Sequence, residues 1–348
     1  PMPEPARAMA EAEAEAGDAT VEPVERTMVE AIRLALGRAM AEDERVLLFG
    51  EDVGRNGGVF RATEGLQARF GAARVRDTPL SEAMLVGLAV GLAAQDMRPV
   101  AEIQFAGFGY AALDQLANHA SRMRNRTRGR LACPMVLRMP YGGGIRAPEH
   151  HSESPEALFA HLPGLRVVVP SSPARAYGLL LAAIADPDPV VFLEPKRLYR
   201  ASKEPVADDG RALPLDRCST LREGRDVTLV SWGASLVETL AAADRLADEG
   251  FEAEVLDVAT LKPLDLDAIV ASVARTGRCV IVHEAKRSVG VGAEIAAGLA
   301  EQALDRLLAP IERVTGWDTI VPFPRLEDHD LPSTPRIVDA ARRTLDHV

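Results

Sequence analysis

Cysteine is scarce in this sequence, and the few cysteines are scattered. The 348 residues include three, Cys133, Cys218 and Cys279, and no two of them form a CxxC pair. Disulfide frameworks and zinc sites use cysteines at short, regular spacing, so the sequence argues against both. We therefore interpret the three thiols as core packing and expect the chain in the cytoplasm or an equivalent reducing compartment.

Long apolar runs and an excess of basic residues are also missing. The longest apolar stretch, Ala83 to Ala94, is too short to span a bilayer, and no basic and apolar leader precedes it. The net charge of −11 argues against a nucleic-acid partner and favours basic protein partners or simple solubility. We expect neither nucleic acid nor membrane as a partner.

Strand and helix patterns alternate in two long blocks. Residues 1–22 are rich in Ala, Glu and Pro and lack aromatics, which predicts a disordered tail. The alternation fills residues 23–200, stops in the polar segment 201–222, which we interpret as a linker, and resumes over 223–348. This order predicts an α/β protein with two doubly wound domains.

A helix with apolar residues on every face is predicted to follow Ser81. Ser81 is a good N-cap, and the stretch after Glu82 is typical of a helix buried in a core or in an interface. Glu82 then enters the interior, where a carboxylate must find a hydrogen-bond partner or stay protonated. A first-turn glutamate that balances the helix dipole at the surface explains the same pattern equally well.

Two further stretches could contact a ligand. Glu51 and Asp52 follow a buried strand, and the carboxyl ends of parallel strands are where ligands bind in open sheets. Residues 105–110 contain three aromatics in a chain that is only 4% aromatic, so their rings could stack on a planar ligand. Solvated turn acids and ordinary core packing are the alternatives.

A glycine-rich loop over residues 141–153 presents adjacent histidines. Three consecutive glycines let the backbone fold closely around a neighbouring group before His150 and His151. A metal site with Glu149 and Glu153 is one interpretation, but neighbouring side chains usually diverge. A catalytic histidine on a long loop is the sharper hypothesis.

Five short segments occur in order between Thr27 and the C-terminus: Phe49-Gly50-Glu51-Asp52-Val53, Asp77-Thr78-Pro79-Leu80-Ser81-Glu82, Glu102-Ile103-Gln104-Phe105, His151-Ser152 and Pro163-Gly164-Leu165. Together they resemble the beta subunit of the thiamine-diphosphate-dependent, decarboxylating component of 2-oxo acid dehydrogenase complexes. The resemblance implies a transketolase-like pyrimidine-binding domain followed by a transketolase C-terminal-like domain.

The resemblance implies a role for each matching residue. Glu82 matches the glutamate that contacts the aminopyrimidine nitrogen of thiamine diphosphate, with Leu80 and Phe108 beside that ring. His151 matches the active-site histidine near the bound 2-oxo acid. Glu51 matches an acidic residue in the polar passage between paired active sites.

The resemblance also implies a structural potassium site, built largely from backbone oxygens at Met135, Ala183, Asp186 and Asp188. Two positions depart from the family pattern. Asp188 stands where other members often carry Asn, and Arg146 replaces a second histidine of many members.

The absence of one family motif indicates that the chain has a partner subunit. The sequence contains no Gly-Asp-Gly followed by a downstream Asn, the family's magnesium and diphosphate motif. The resemblance therefore implies an alpha subunit that holds the magnesium in an alpha2-beta2 heterotetramer. It also implies a dihydrolipoyl acyltransferase core, whose lipoyl group receives the acyl product. We expect that core to dock on acidic residues after position 222, namely Glu238, Asp244, Asp248, Glu249, Glu301, Asp305, Glu327, Asp328 and Asp330.

The 2-oxo acid is predicted to be a branched-chain one, because residues 154–161 and 192–196 look more like branched-chain than pyruvate members. A pyruvate or acetoin dehydrogenase beta subunit is the alternative. Other candidates are a self-sufficient transketolase-type enzyme, a non-catalytic scaffold of the same fold, and a metal-dependent hydrolase built on His150 and His151.

Overall fold

The computed structural model describes residues 21–347, which form two compact units. The first unit contains the chain up to Pro140, Leu162–Glu194 and Leu198–Leu215. The second contains Tyr141–His161, Pro195–Arg197 and the chain from Asp216 onward. The chain therefore enters the second unit twice before it stays there. Most of the predicted tail lies outside the described residues.

The strands and helices alternate as the sequence predicts. The strands are β1 Val24–Arg26, β2 Val46–Gly50, β3 Val75–Asp77, β4 Arg98–Glu102, β5 Val136–Tyr141, β6 Arg166–Val168, β7 Val190–Pro195, β8 Glu204–Val206, β9 Ser219–Arg222, β10 Val227–Ser231, β11 Ala253–Asp257, β12 Thr260–Lys262, β13 Cys279–Lys286 and β14 Glu312–Gly316. The helices are α1 Met28–Glu42, α2 Leu66–Phe70, α3 Glu82–Ala93, α4 Leu113–Asn118, α5 Met123–Arg126, α6 Glu156–Ala160, α7 Pro173–Ala185, α8 Ser235–Asp248, α9 Leu266–Thr276, α10 Val291–Gln302, α11 Glu327–Asp330 and α12 Thr334–Leu345. Among residues 21–347, no helix is long and apolar enough to cross a bilayer.

The first unit is built on a sheet with the strand order β6-β7-β5-β4-β2-β3. Strands β3, β2, β4 and β5 run parallel to their neighbours, and so do β6 and β7. Helix α1 packs against α7 beside this sheet. Its start is fixed by a capping box, because Glu30 Oε2 accepts hydrogen bonds of 2.8 Å from the backbone N–H and the hydroxyl of Thr27.

Helix α3 buries only one face in the single chain. Leu85, Val86 and Ala89 are buried, whereas Met84 and Leu88 on the opposite face are exposed. The sequence predicts a helix buried in a core or in an interface, and the core of the first unit covers one side of it. The exposed apolar side remains available for an interface.

The second unit contains a sheet with the strand order β14-β13-β10-β11-β9. Its strands are parallel except β9, which is antiparallel to β11. Side chains of α8 and α12 pack with these strands into one apolar core. The polar segment 201–222 contributes β8, which pairs with β1, and β9 of this second sheet.

Two of the three cysteines confirm the packing interpretation. Cys133 and Cys279 are buried free thiols, and burial raises the pKa of each to about 12. Cys218 is only partly buried. Its backbone N–H donates to Asp265 Oδ2 at 2.9 Å.

Candidate active site

Two acids lie near the carboxyl end of β2. Glu51 follows the last residue of that strand, and Glu82 is the first residue of α3. Burial is the main cause that raises the pKa of Glu51 above its ordinary value, and the neighbouring charges of Glu82 and Asp52 add to it. The structure therefore brings Glu51 and Glu82 within electrostatic reach of each other.

The backbone around these acids is tightly fixed. A side chain at Gly50 would place a Cβ 2.5 Å from the carbonyl oxygen of Glu102, so only glycine fits this crossing. The Thr78 N–H donates to the Gly50 carbonyl at 3.0 Å, and the Gly54 N–H donates to Asp77 Oδ1 at 2.6 Å. These bonds tie the loops after β2 and β3 together and so position the start of α3.

An apolar surface lies beside the two acids. Phe108 belongs to the 3-10 turn Ala106–Ala112, which packs against α3. Its ring meets Phe105 edge to face at 6.0 Å, and Phe105 meets Phe60 in the same way at 5.6 Å. Leu80, just before α3, is 77% exposed.

This combination fits the aminopyrimidine half of thiamine diphosphate. A planar heteroaromatic ring can lie against an aromatic ring and an aliphatic side chain, here Phe108 and Leu80. The Glu82 carboxyl group can exchange a hydrogen bond and a proton with a ring nitrogen. The four residues that the resemblance assigned to the cofactor thus share one region of the first unit.

His151 lies in the second unit, on the glycine-rich loop after β5. Gly142 and Gly144 have φ values of +82° and +90°, and a Cβ on Gly144 would lie 2.1 Å from Arg197 Cδ. The backbone N–H of Gly143 donates to Glu284 Oε2 at 3.0 Å. The N–H groups of Gly144 and Arg146 each donate to Glu327 at 2.8 Å. Two carboxylates from distant parts of the sequence therefore hold this loop.

The surroundings of His151 favour its neutral form. Its ring contacts that of His150, with a centroid distance of 4.2 Å. Burial is the main cause that lowers the pKa of His151, followed by the charges of His150 and Lys196, while Glu149 opposes them. A neutral imidazole can both donate and accept a hydrogen bond, as a substrate-handling histidine requires.

The residues proposed for potassium lie elsewhere in the first unit, and arginines surround them. The Arg98 guanidinium donates to the Ile184 carbonyl at 2.7 Å and lies 3.4 Å from that of Asp186. Asp186 pairs with Arg166 at 2.8 Å, and Asp188 pairs with Arg124 at 2.7 Å. The Met135 carbonyl accepts from the Val190 N–H. Arginine side chains thus pair with the carboxylates of Asp186 and Asp188 and with the Ile184 carbonyl beside Ala183. The potassium site stays a prediction.

A metal-binding interpretation of the histidines also gains no support. Within residues 21–347, no group of three or more His, Cys, Asp or Glu side chains could hold a metal ion. His150 Nδ1 instead lies 3.7 Å from its neighbour Glu149.

Several charged residues of the second unit are buried, and the sequence analysis missed them. Glu156 accepts a hydrogen bond from Trp232 Nε1 at 3.3 Å, and burial raises its pKa to about 8. Burial lowers the pKa of Lys196 to about 8 and that of His283 to about 3. Their positions in the sequence could have predicted this burial. His283 and Glu284 interrupt the apolar strand β13, and Lys196 directly follows β7.

The acidic docking surface needs correction for the same reason. Glu327 is 1% exposed and Asp330 is 4% exposed, so neither offers charge to a partner. Asp330 pairs with Lys286 at 2.8 Å, and Glu238 pairs with Arg197 at 2.6 Å. These acids stabilise the unit itself. Asp328 remains exposed.

Comparison with known proteins agrees with this fold. Residues 24–202 match the transketolase pyrimidine-binding domain, and residues 216–337 match the transketolase C-terminal domain. The solved structure of a split-gene transketolase, described as an inactive beta4 tetramer, covers 93% of this chain and 99% of its own. Its TM-score is 0.77 at 24% identity, so it supports the fold alone.

Curated relatives are more similar in sequence. The pyruvate dehydrogenase E1 component subunit beta of Staphylococcus epidermidis is 48% identical over 320 residues, or 92% of this chain and 98% of the relative. The same subunit of Bacillus subtilis is 47% identical over 320 residues, with equal coverage. That of Acholeplasma laidlawii is 47% identical over 317 residues, or 91% of this chain and 97% of the relative. The chain therefore belongs to the transketolase-like family, among the beta subunits of thiamine-diphosphate-dependent 2-oxo acid dehydrogenase components.

Proposed function

We propose that this chain is the beta subunit of a pyruvate dehydrogenase component, which decarboxylates pyruvate and passes the acetyl group to a lipoyl group. The observation that supports this choice is the set of relatives, which are pyruvate dehydrogenase beta subunits over nearly their whole length. They favour the pyruvate alternative over the branched-chain preference drawn from residues 154–161 and 192–196. The local resemblance of those segments is outweighed by identity spread over 92% of the chain.

The candidate site gives each residue a chemical task. Thiamine diphosphate, when bound, supplies the carbanion that attacks the ketone and takes up the electrons left by carbon dioxide. Glu82 exchanges a proton with the aminopyrimidine nitrogen, while Phe108 and Leu80 hold that ring in place. His151 orients the 2-oxo acid and donates or accepts a proton. Glu51 adds a second acid near Glu82, through which a proton can be passed.

The proposal includes two protein partners. An alpha subunit would supply the magnesium and diphosphate site that is missing from these 348 residues, and the exposed Met84 and Leu88 of α3 suit an assembly with other subunits. A dihydrolipoyl acyltransferase core would receive the acetyl group. The cytoplasmic location remains a prediction from the cysteine pattern.

Glu82→Gln tests the catalytic assignment. Glutamine keeps the shape of the side chain but cannot exchange the proton, so we expect decarboxylation by the enzyme reconstituted with its alpha subunit to fall about 10²- to 10⁴-fold. Glu294→Gln is the matched control, because Glu294 is an exposed glutamate in the first turn of α10. If both changes lowered the decarboxylation rate by the same few-fold factor, Glu82 would have only the helix-dipole role of a first-turn glutamate.

Substrate choice is tested separately. The reconstituted enzyme is assayed for decarboxylation of pyruvate and of 3-methyl-2-oxobutanoate under the same conditions. We expect the higher kcat/KM for pyruvate. A preference for the branched acid would reject the pyruvate assignment and restore the branched-chain interpretation, without affecting the role of Glu82.

A further inference from the structure

A small cavity lies beside β14, the strand at one edge of the sheet in the second unit. Its volume is about 310 Å³, near the lower end of the range for small-molecule sites. Four arginines line it against three carboxylates, and the arginines are Arg287, Arg313, Arg336 and Arg343. The lining therefore carries an excess of positive charge.

Three of these arginines bind neutral carbonyl groups rather than carboxylates. Arg287 Nη1 donates to the Arg313 carbonyl at 2.8 Å, and Arg313 Nη1 donates to the Arg287 carbonyl at 3.2 Å. Arg336 donates to the carbonyls of Thr315 and Leu331 at 2.7 and 3.1 Å. Within the part of the chain that the structure describes, none of these three guanidinium groups forms an ion pair. Their hydrogen bonds to carbonyls hold the side chains in place but do not neutralise them.

The three carboxylates of the cavity have other partners. Glu312 pairs with Arg343 at 2.8 Å. Asp318 accepts hydrogen bonds from the backbone N–H and the hydroxyl of Ser288, at 2.9 and 2.8 Å. Asp339 lies 3.7 Å from an arginine of α12 that does not line the cavity. The fourth cavity arginine is therefore paired, and the other three share an incomplete set of negative charges.

Arg287 and Arg313 lie close enough to repel each other. Each side chain reaches the backbone of the other residue, so the two positive groups lie side by side. Burial is the main cause that lowers the pKa of Arg313, the charge of Arg287 adds to it, and Asp318 opposes both. An anion between two like charges removes their repulsion, and the N–H donors of a guanidinium match the oxygens of a phosphate group. This pair of arginines therefore suits a phosphate group.

An aromatic ring stands at the same cavity. The ring of Trp317 is 56% exposed, and the Arg336 guanidinium carbon lies 4.7 Å from its centroid. The charge of the buried Asp330 acts on Arg336, but Asp330 already pairs with Lys286 at 2.8 Å. An exposed indole beside an anion site can contact a planar group attached to the phosphate.

We propose that this cavity binds a phosphate or diphosphate group of a small molecule, with Arg287 and Arg313 as its ligands and Trp317 beside it. The group is carried either as a free anion or on a nucleotide, whose base would contact Trp317. The proposal does not depend on the proposed function, because none of these residues belongs to the candidate active site.

The test is isothermal titration calorimetry of the full chain with pyrophosphate at constant ionic strength. We expect saturable binding that becomes at least about tenfold weaker in the double variant Arg287→Gln, Arg313→Gln. Arg306→Gln is the matched control, because Arg306 is an exposed arginine of the same unit that does not line the cavity. We expect this control to change the affinity by less than about twofold. Arg287→Gln alone replaces the double variant if that variant does not fold, since Arg287 is exposed.

Tryptophan fluorescence locates the bound anion. The chain has two tryptophans, of which Trp232 is buried and Trp317 lines the cavity. We expect pyrophosphate to change the emission of the parent chain. Trp317→Phe should lose this change and still bind pyrophosphate in calorimetry. A change in emission that persists in Trp317→Phe would place the anion elsewhere and overturn the proposal.

Calorimetry with ADP in place of pyrophosphate identifies the source of the phosphate group. Tighter binding of ADP assigns the site to a nucleotide, whereas equal or tighter binding of pyrophosphate assigns it to a free anion, and both results support the site. No saturable heat with either compound at millimolar concentrations would overturn the proposal. So would an affinity that the double variant leaves unchanged, or that Arg306→Gln lowers equally. The arginines would then only cover the exposed edge of β14.

Discussion

At the scale of single residues, Glu156 shows what burial does to a carboxyl group. Burial raises its pKa from 4.5 to about 8, and the hydrogen bonds from its own backbone N–H and from Trp232 only partly offset this. Between these two pH values the folded chain keeps a proton that the unfolded chain has released. The free energy of unfolding must therefore fall as the pH rises through this range.

Replacing Glu156 with glutamine should remove this dependence. Glutamine keeps an acceptor for Trp232 and never ionises, so we expect Glu156→Gln to raise the unfolding temperature at pH 8 by several degrees relative to the parent. The difference should shrink at pH 5, where both side chains are neutral. Thermal unfolding followed by circular dichroism at the two pH values measures it, with Glu294→Gln as an exposed control. An increase in unfolding temperature of the same size at both pH values would contradict the explanation that the protonation of Glu156 causes the effect.

Residue type made some candidate site residues visible in the sequence and hid other buried charged residues. Glu82 and His151 stood out because an acid preceded an apolar stretch and a histidine followed three glycines. The sequence predicts a surface position for Glu327, because the next three residues, Asp328-His329-Asp330, are polar. Its burial depends on accepting hydrogen bonds from Gly144 and Arg146, more than 180 positions away. No local pattern contains that information.

At the scale of elements, three strands of the first unit are tied together by one buried arginine. Arg138 of β5 donates to Glu102 of β4 at 2.7 Å and to both carboxylate oxygens of Glu194 of β7, at 2.7 and 3.0 Å. The Tyr199 hydroxyl also donates to Glu194. Burial raises the pKa of Glu102, and the Arg138 charge counteracts it. The buried charges of Arg138, Glu102 and Glu194 therefore stabilise one another, and each would be costly without the others.

Removing the arginine should therefore be costly. Arg138→Met leaves Glu102 and Glu194 buried without their cation, and we expect the free energy of unfolding to fall by about 3 to 5 kcal/mol. Arg222→Met is the control, since its 2.6 Å pair with the exposed Asp244 should contribute at most about 1 kcal/mol. Urea denaturation of both variants gives the comparison. Equal losses would mean that the buried set contributes no more than a surface pair.

Helices and strands were predictable because their periodic patterns are strong and local. The sequence patterns predict strands over 45–50 and 253–258 and helices near 235–249 and 265–276. The observed bounds of β2, β11, α8 and α9 lie within a residue or two of these. The exposure of α3 was not predictable, because an apolar residue carries no mark of whether its own domain or another subunit covers it. Apolar residues predict that a helix face will be buried. Which surface buries it, in the same domain or in another subunit, depends on the assembly.

At the scale of the whole molecule, our proposal gives this chain one half of a cofactor site. The region of Glu51, Leu80, Glu82 and Phe108 suits the aminopyrimidine ring, while no magnesium and diphosphate motif occurs in the 348 residues. We expect this chain alone to bind thiamine diphosphate weakly and to show no decarboxylase activity. Isothermal titration calorimetry with and without magnesium measures the binding. Tight, magnesium-dependent binding to the single chain would show that the diphosphate site is also here.

The placement of Tyr141–His161 in the second unit bears on how the protein is made. During synthesis this segment leaves the ribosome long before Glu284 and Glu327, the residues that accept hydrogen bonds from its glycines. The hydrogen bonds that hold the loop can therefore form only after Glu284 and Glu327 have been translated. A gene cut after residue 215 would separate His151 from the acids that hold its loop, even though the cut falls between the two matched domains.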